Sequence, residues 1–186
     1  MSRFIFHPTP IAGLVAIERL PLGDARGFLE RLFCATDLAP AGWTGPIAQI
    51  NHTFTAETGT VRGLHYQRAP HAEIKLVSCL QGAVWDVAVD LRPDSPTYLQ
   101  WHAEELSANN HRALLIPPGC AHGFQTLSAD VQMLYCHSQA YAPYSEGGLH
   151  PQDPRLGIAW PLPVHGLSLR DACHPPITPD FEGVRL

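Results

Sequence analysis

The sequence has few charged residues and no long apolar run. Asp, Glu, Lys and Arg make up 16% of its 186 residues, which is low for a globular protein. The net charge of -5 and the isoelectric point of about 6.1 argue against bulk electrostatic binding to nucleic acid or to an anionic lipid surface. No apolar segment is long enough to cross a bilayer. We therefore expect neither a nucleic acid nor a membrane among the partners.

Cysteine spacings typical of disulfides or zinc sites are also missing. The five cysteines are scattered, odd in number and never spaced as Cys-x-x-Cys. This pattern indicates reduced thiols. Residues 1–10 lack the long apolar region of a signal peptide. We therefore expect a cytoplasmic protein.

Turn-forming residues, in contrast, are abundant and evenly spread, with 18 Pro and 15 Gly. The length fits one domain over residues 1–186. Short apolar or alternating runs between turn signals predict an all-β sandwich or barrel. The runs are 14–17, 28–33, 47–54, 74–80, 84–90, 98–106, 113–116, 122–126 and 131–135.

Helical periodicity is weak, and its best candidates are short, at residues 35–38 and 103–109. From Tyr141 onward the chain is rich in Pro, Gly and Asp. We expect this C-terminal segment to wrap the barrel, with one or two helical turns.

Two segments narrow the kind of barrel. The segment 116–124 contains Pro-x-Gly-x-x-His, an arrangement seen in cupins, in which a tight turn directs His122 into the barrel mouth. In the segment 63–67, His65 and Gln67 share one face of a strand, because strand side chains alternate. Two such strands predict a cupin-type jelly-roll β-barrel, in which polar side chains from separate strands meet near the barrel axis.

Three further residues have both a structural and a functional interpretation. Lys75 lies in an apolar run, either with its stem at a sheet edge or pointing into the barrel as a partner for an anion. Tyr135 is either a core aromatic residue or a functional phenol. Asp171 is either a turn or cap residue or part of a site.

Several segments, in order along nearly the whole chain, resemble the nucleotide-sugar 3,5-epimerases of the dTDP-4-dehydrorhamnose epimerase family. Each segment alone is weak, but the ordered set is specific. The segments are 23–30, 49–52, 60–67, 86–92, 116–124 and 141–161.

The resemblance implies a metal-free cupin jelly roll without a cofactor, usually a homodimer. It also implies epimerisation at C3, C5 or both of a nucleotide-linked 4-keto-6-deoxy sugar. His65 would be the base and Asp171 would orient it; Lys75 would hold the C4 oxygen, and Tyr135 would supply a proton from the opposite face. The residues implied to face the nucleotide, diphosphate or sugar, partly from a strand exchanged between subunits, are Arg26, Phe28, Glu30, Gln49, Asn51, Arg62, His122 and Tyr141.

These residue types suit the reaction. A C–H next to a ketone loses its proton readily only when a base and a group that stabilises the enolate oxygen act together. Imidazole titrates near pH 6.5 and is therefore a good base at neutral pH. A carboxylate on its other nitrogen fixes the tautomer, and a donor aimed at the developing oxyanion is worth about 2.7–4 kcal/mol.

The chain departs from the family pattern near the expected mouth of the site. Cys136 stands where the family usually has Lys, the segment 147–150 lacks the usual Trp, and the segment 70–73 is an unusual approach to Lys75. Relatives act at C3, at C5 or at both, and some use other nucleotides. The departures therefore bear on the choice of sugar and nucleotide rather than on the reaction type.

Two alternatives remain open from the sequence. A metal-dependent cupin, such as a dioxygenase or isomerase, would need a set like His65, Glu73 and His122, which could form a facial triad for iron. Gln67 occupies the position where metal cupins usually carry their second His. A non-catalytic sugar-binding cupin is the other alternative, since fold does not fix function.

Overall fold

The computed structural model describes residues 2–186, and short antiparallel strands dominate it. The all-β prediction is confirmed. The strands are β1 (Phe4–Pro8), β2 (Val15–Arg19), β3 (Leu22–Asp24), β4 (Gly27–Leu29), β5 (Gln49–Thr55), β6 (Val61–Gln67), β7 (Lys75–Gln81), β8 (Ala83–Asp90), β9 (Trp101–Ser107), β10 (Arg112–Ile116), β11 (Cys120–Thr126), β12 (Val131–His137) and β13 (Glu146–Gly148).

Two antiparallel sheets face each other as in a jelly roll. The first has six strands in the order β1-β2-β10-β7-β12-β5, and the second has five in the order β13-β6-β11-β8-β9. Neighbours in each sheet are mostly distant in sequence, so long connections cross between the sheets, as they do in jelly rolls. Strands β3 and β4 form a separate hairpin.

The space between the sheets is apolar over part of its length. Side chains at alternate positions of facing strands meet there, among them Val77 of β7, Val84 of β8, Phe124 of β11 and Met133 of β12. Successive side chains of a strand point to opposite faces. Residues two positions away from these core residues on the same strand therefore also point into the barrel.

The outer faces of both sheets are covered as well. Against the five-stranded sheet, Leu156, Ile177 and Val184 of the C-terminal segment pack on residues such as Val87. Against the six-stranded sheet packs the segment that contains Trp43. The predicted wrapping C-terminal segment is therefore confirmed.

Helix is confined to short turns. Helix α1 (Ala35–Leu38) agrees with the sequence prediction and continues into a 3-10 turn, Ala39–Ala41. Helix α2 (Leu169–Ala172) lies in the C-terminal segment, and its N-cap Ser168 accepts a hydrogen bond from the backbone N–H of Asp171 at 3.1 Å. This cap places Asp171, which is buried, on the side of α2 that faces the barrel.

Some elements differ from the sequence predictions. The helix proposed for residues 103–109 is wrong, because residues 103–107 belong to β9 and pair with β8, and residues 108–109 form a turn. The run 28–33 forms strand only as far as Leu29. Strand β1 was not predicted, and it extends the six-stranded sheet beside β2. Within residues 2–186 no helix has the length and apolar character needed to cross a membrane.

Candidate active site

A polar pocket of about 270 Å³ opens at one end of the barrel interior. It collects side chains from both sheets and from the C-terminal segment. Its lining residues are Gln49, Asn51, Thr53, Arg62, His65, Tyr66, Gln67, Glu73, Lys75, His122, Phe124, Tyr135, His137, Tyr141, Glu146 and Arg170.

Strand alternation explains how this pocket forms. On β7, Lys75 and the core residue Val77 are two positions apart, and on β12 the core residue Met133 precedes Tyr135 by two. Each strand therefore carries apolar inward residues along one part and polar inward residues near one end. Lys75 points into the barrel with only 8% of its surface exposed, which settles its two interpretations in favour of the inward one.

Two glycines allow the strands β6 and β11 to come close together. Gly63 has a φ of +127°, and a Cβ there would lie 2.6 Å from the Cα of Gly123. The register between the strands shifts at this point. As a result His65 lies opposite His122, and both imidazoles line the pocket.

His65 and Asp171 form a hydrogen-bonded pair. Asp171 Oδ1 lies 2.7 Å from His65 Nε2, and Asp171 Oδ2 accepts a bond from the backbone N–H of Gly63. Burial by itself raises the pKa of Asp171, but the bonds with His65 and Gly63 outweigh it and bring the pKa to about 2. The carboxylate is therefore an acceptor at neutral pH. Nε2 carries the proton, and Nδ1 is left as the basic nitrogen.

Arg170, Glu146 and Tyr141 are joined at the mouth of the pocket. Arg170 Nη1 donates to both carboxylate oxygens of Glu146, at 3.0 and 2.9 Å, and the Tyr141 hydroxyl donates to Glu146 Oε2 at 2.9 Å. Arg170 Nη2 also lies 2.9 Å from His65 Nε2. Because a guanidinium only donates and Nε2 already carries the proton bonded to Asp171, this contact is not a hydrogen bond; it places a positive charge beside the His65–Asp171 pair.

Lys75 has a carboxylate partner inside the pocket. Its Nζ lies 3.1 Å from Glu73 Oε1 and 3.5 Å from the backbone carbonyl oxygen of His65. The other oxygen of Glu73 lies 2.9 Å from His137 Nδ1. Burial raises the pKa of Glu73, but the bond with His137 and the charge of Lys75 more than offset this, so the pKa is lowered.

Tyr135 lies on the six-stranded sheet, across the barrel from β6 and β11. Its ring meets the His122 ring edge-on, with centroids 5.9 Å apart, and it stacks on His137. Burial raises the pKa of the Tyr135 phenol far above its ordinary value. His122 Nε2 is bonded to the fully buried Asp86 at 2.8 Å, and burial raises the pKa of Asp86.

Three residues proposed from the sequence lie outside this pocket in the single chain. Arg26 and Phe28 are exposed on the β3–β4 hairpin, and Arg26 pairs with Asp24. Glu30 binds His111 Nδ1 at 2.7 Å and Arg19 Nε at 3.2 Å. The other nine proposed site residues converge: eight line the pocket, and Asp171 lies behind His65.

Sequence reasoning missed several pocket residues. Thr53 follows Asn51 by two positions on β5, and His137 follows Tyr135 by two on β12. The same period of two that placed their neighbours could have found them. Glu146 and Arg170 carried no comparable signal, because they come from short elements whose position depends on tertiary packing.

The ligand set considered for a metal-dependent cupin does not come together. Among residues 2–186, the one group of three with ligand atoms within 4.8 Å of each other is His65, Asp171 and His174. His65, Glu73 and His122 do not form such a group. Glu73 is engaged by Lys75 and His137 instead. The set His65, Glu73 and His122 therefore does not form the facial triad considered from the sequence.

Comparison with known sequences agrees with the geometry of the pocket. The sequence model of the family described as dTDP-4-dehydrorhamnose 3,5-epimerase matches residues 8–178. A protein of Sinorhizobium fredii named dTDP-4-dehydrorhamnose 3,5-epimerase is 39% identical over 180 residues, covering 94% of this chain and 90% of the relative.

Solved structures give the same result. The dTDP-4-dehydrorhamnose 3,5-epimerase of Bacillus anthracis, with TDP and pyrophosphate bound, superposes with a TM-score of 0.90 at 39% identity, over 94% of this chain and 99% of that one. The dTDP-6-deoxy-D-glucose-3,5-epimerase of Legionella pneumophila, in complex with dTDP-4-keto-L-rhamnose, gives a TM-score of 0.86 at 42% identity, over 92% and 91%. With its jelly roll, its polar barrel mouth and these similarities, the chain belongs to the dTDP-4-dehydrorhamnose 3,5-epimerase family.

Proposed function

We propose that this protein epimerises a nucleotide-linked 4-keto-6-deoxy sugar at C3, C5 or both. The observation that carries the proposal is the placement of the acid and base groups. The His65–Asp171 pair belongs to the five-stranded sheet and the C-terminal segment, and Lys75 and Tyr135 belong to the six-stranded sheet across the pocket. Inversion at a carbon needs proton removal from one face of the sugar ring and proton delivery to the other.

The proposed reaction begins with His65 as the general base. Nδ1 takes the proton from the carbon next to the C4 ketone, and the electron pair of that C–H bond moves onto the ketone oxygen. Asp171 stabilises the imidazolium that forms, because its carboxylate stays bonded to Nε2. Lys75 donates a hydrogen bond to the enolate oxygen, on which negative charge develops as the C–H bond breaks.

Tyr135 is proposed to complete the inversion. Its O–H delivers a proton to the opposite face of the same carbon, so the enolate collapses back to the ketone. Its buried phenol has a raised pKa, so it stays protonated until the carbanion draws the proton away. Exchange with solvent then returns His65 and Tyr135 to their starting states.

The remaining polar lining is proposed to bind the substrate. Arg62 and His122 would face the sugar and its diphosphate, since Arg is suited to phosphate oxygens. Gln49, Asn51 and Tyr141 would contact the nucleotide and sugar from one wall of the pocket. The nucleotide dTDP is favoured by the names of the relatives.

We further propose a homodimer in which the β3–β4 hairpin of one subunit reaches the pocket of its partner. Phe28 and Leu29 are each 67% exposed, which is unusual for large apolar residues on so small a hairpin. Arg26, Phe28 and Glu30 would then act on the neighbouring site. We take residues 1–186 as one domain and place the protein in the cytoplasm, in keeping with its five free thiols.

Solvent deuterium exchange tests the proposed function. The protein is incubated in D₂O with a panel of nucleotide-linked 4-keto-6-deoxy sugars, and NMR then reports deuterium at C3, C5 or both. His65→Ala should abolish exchange at every position. Absence of exchange into all sugars of the panel would overturn the proposal.

Metal analysis of protein purified without a nickel column distinguishes the proposed epimerase from a metal-dependent cupin. Activity that persists after treatment with a chelator is expected. Stoichiometric iron, zinc or manganese that is lost together with activity would contradict the proposal.

A further inference from the structure

Glu73 is a buried carboxylate that binds two cationic or donor groups inside the pocket. It is 9% exposed and Lys75 is 8% exposed. One oxygen lies 3.1 Å from the Lys75 ammonium, and the other lies 2.9 Å from His137 Nδ1. Both oxygens of the carboxylate are therefore fixed, and its plane cannot turn without breaking one of the two contacts.

The bond from His137 is supported by a line of hydrogen bonds. Because Glu73 only accepts, His137 carries its proton on Nδ1, and its Nε2 is free to accept from Asn51 Nδ2 at 3.4 Å. Asn51 Oδ1 accepts from Gln49 Nε2 at 3.0 Å, and Gln49 Oε1 accepts from the backbone N–H of Tyr141 at 2.9 Å. Every donor in the line points the same way, and the line ends on Glu73.

The hydrogen bonds of Lys75 leave one direction open. An ammonium has three N–H donors. Lys75 Nζ forms an ion pair with Glu73 at 3.1 Å and donates a hydrogen bond to the backbone carbonyl oxygen of His65 at 3.5 Å. Among residues 2–186 no third hydrogen-bond acceptor contacts Lys75 Nζ. The charge of Lys75 does act on the pKa of the buried Asp86, which it lowers against the larger effect of burial. The third N–H is therefore available for an oxygen of the substrate.

We propose that Glu73 is a positioning residue, held by His137, that fixes the Lys75 ammonium so that its remaining N–H meets the enolate oxygen. The inference rests on the proposed function, in which Lys75 stabilises that oxygen. Lysine has a flexible four-carbon stem, so the direction of its charge depends on what anchors it. A donor contributes most when it is already in place before charge develops.

Glu73→Gln tests this role because it keeps the shape of the side chain but removes its charge. We expect kcat to fall about 10- to 100-fold, since misplacing a group by about 1 Å can cost on the order of 10²-fold. The rate of deuterium exchange at the reacting carbon should fall in step, while KM changes less than about threefold. A purely structural role would lower the melting temperature and leave kcat per folded molecule unchanged.

Glu104→Gln is the matched control. Glu104 binds His102 at 2.9 Å and Arg112 at 2.7 Å, so it too is a carboxylate between an imidazole and a cation. It lies on β9, away from the pocket lining. We expect this variant to keep the kcat, KM and exchange rate of the wild type.

Two changes at His137 keep the test decisive if Glu73→Gln folds poorly. His137→Asn places an amide nitrogen close to the position of Nδ1 and should retain most of the activity, whereas His137→Leu should lower kcat. Combining His137→Leu with Glu73→Gln should lower kcat no further than Glu73→Gln alone, because both changes act through Lys75.

The outcomes separate this inference from the proposed function. If the wild-type protein catalyses no deuterium exchange, the proposed function is overturned. Wild-type protein with exchange, together with an unchanged kcat in Glu73→Gln and His137→Leu, overturns only the role of Glu73. An equal loss of kcat in Glu104→Gln also overturns it.

Discussion

The tautomer of His65 is selected by one carboxylate. Asp171 holds Nε2 at 2.7 Å, and its lowered pKa of about 2 keeps it ionised throughout the neutral range. An acid limb of the pH–rate profile above about pH 4 therefore cannot come from protonation of Asp171. It must come from another group in the pocket.

Asp171→Asn should remove the group that selects the tautomer of His65. An amide can donate to Nε2, which would move the imidazole proton to Nδ1 and leave no base facing the substrate. We expect kcat and deuterium exchange to fall on the order of 10³- to 10⁴-fold, as in triads with the same change. Asp153→Asn is the control, because Asp153 is a buried carboxylate that binds backbone N–H groups outside the pocket. Full exchange in Asp171→Asn would contradict the assigned role.

Tyr135→Phe should separate proton removal from proton delivery. The phenyl ring still fills the space beside His122 and His137, but the acid is gone. We expect exchange of the C–H proton to persist and the yield of inverted product to fall at least about 100-fold. NMR of the same sample measures both quantities. The control is Tyr98→Phe, because the Tyr98 hydroxyl binds the Phe181 carbonyl oxygen away from the pocket. This variant should change neither exchange nor inversion. An equal loss of exchange and inversion in Tyr135→Phe would rule out the acid role.

At the scale of elements, the conformation of the connection between β8 and β9 is held by hydrogen bonds to Asp90. Its carboxylate accepts five hydrogen bonds, from the backbone and side chain of Arg92 and from the hydroxyls of Ser95 and Thr97. Burial raises the pKa of Asp90, but these bonds outweigh it and lower the pKa to about 2. A carboxylate with a pKa below its unfolded value stabilises the fold above that value, and this contribution is lost as the pH falls.

Asp90→Asn should therefore destabilise the protein in a pH-dependent way. We expect a loss of about 2 kcal/mol in the free energy of unfolding at pH 7, which narrows as the pH falls from about 4 towards 2. Urea denaturation at several pH values measures it. Asp94→Asn, at an exposed position of the same connection, should leave stability within about 0.5 kcal/mol of the wild type. A pH-independent difference for Asp90→Asn would contradict the linkage.

Strands were predictable where one face is apolar and the turns are marked. The residues of β7, β8, β11 and β12 alternate or form continuous apolar runs, and the sequence located all four. The false helix at 103–109 arose because Ala, Glu and Leu favour helix locally, whereas pairing with β8 decides the structure. Local preference lost to tertiary contacts, as it often does in sheets.

At the scale of the whole molecule, the convergence of the site follows from topology. His65 and Asp171 are 106 positions apart and still meet at 2.7 Å, because the C-terminal segment returns across β6. Alternation predicted which side chains of a strand share a face, but it could not predict which strands are neighbours. The family resemblance supplied only the jelly roll and the expectation that these residues share a site. Neither the resemblance nor alternation placed Glu146 or Arg170, whose positions depend on how the C-terminal segment packs.

The proposed dimer makes a prediction that a single chain cannot satisfy. Arg26 and Phe28 lie on an exposed hairpin outside the pocket of their own chain. Strand β5, at the edge of the six-stranded sheet, also exposes Ile50 and Phe54, by 59% and 55%. Exposed apolar residues at such an edge favour association with a second copy. If the hairpin serves the partner, each site contains residues of two subunits.

Complementation between inactive variants tests this arrangement. The double variant Arg26→Ala/Phe28→Ala and the single variant His65→Ala should each be nearly inactive. Co-expressed with different tags, they should form mixed dimers in which one pocket has an intact base and receives an intact hairpin. Random pairing then restores about a quarter of the sites. In a mixture of His65→Ala and Lys75→Ala no site should be restored, because both residues come from the pocket's own chain and every pocket therefore lacks one of them. If the first mixture also stays inactive although mixed dimers are isolated, the hairpin does not act on the partner's site.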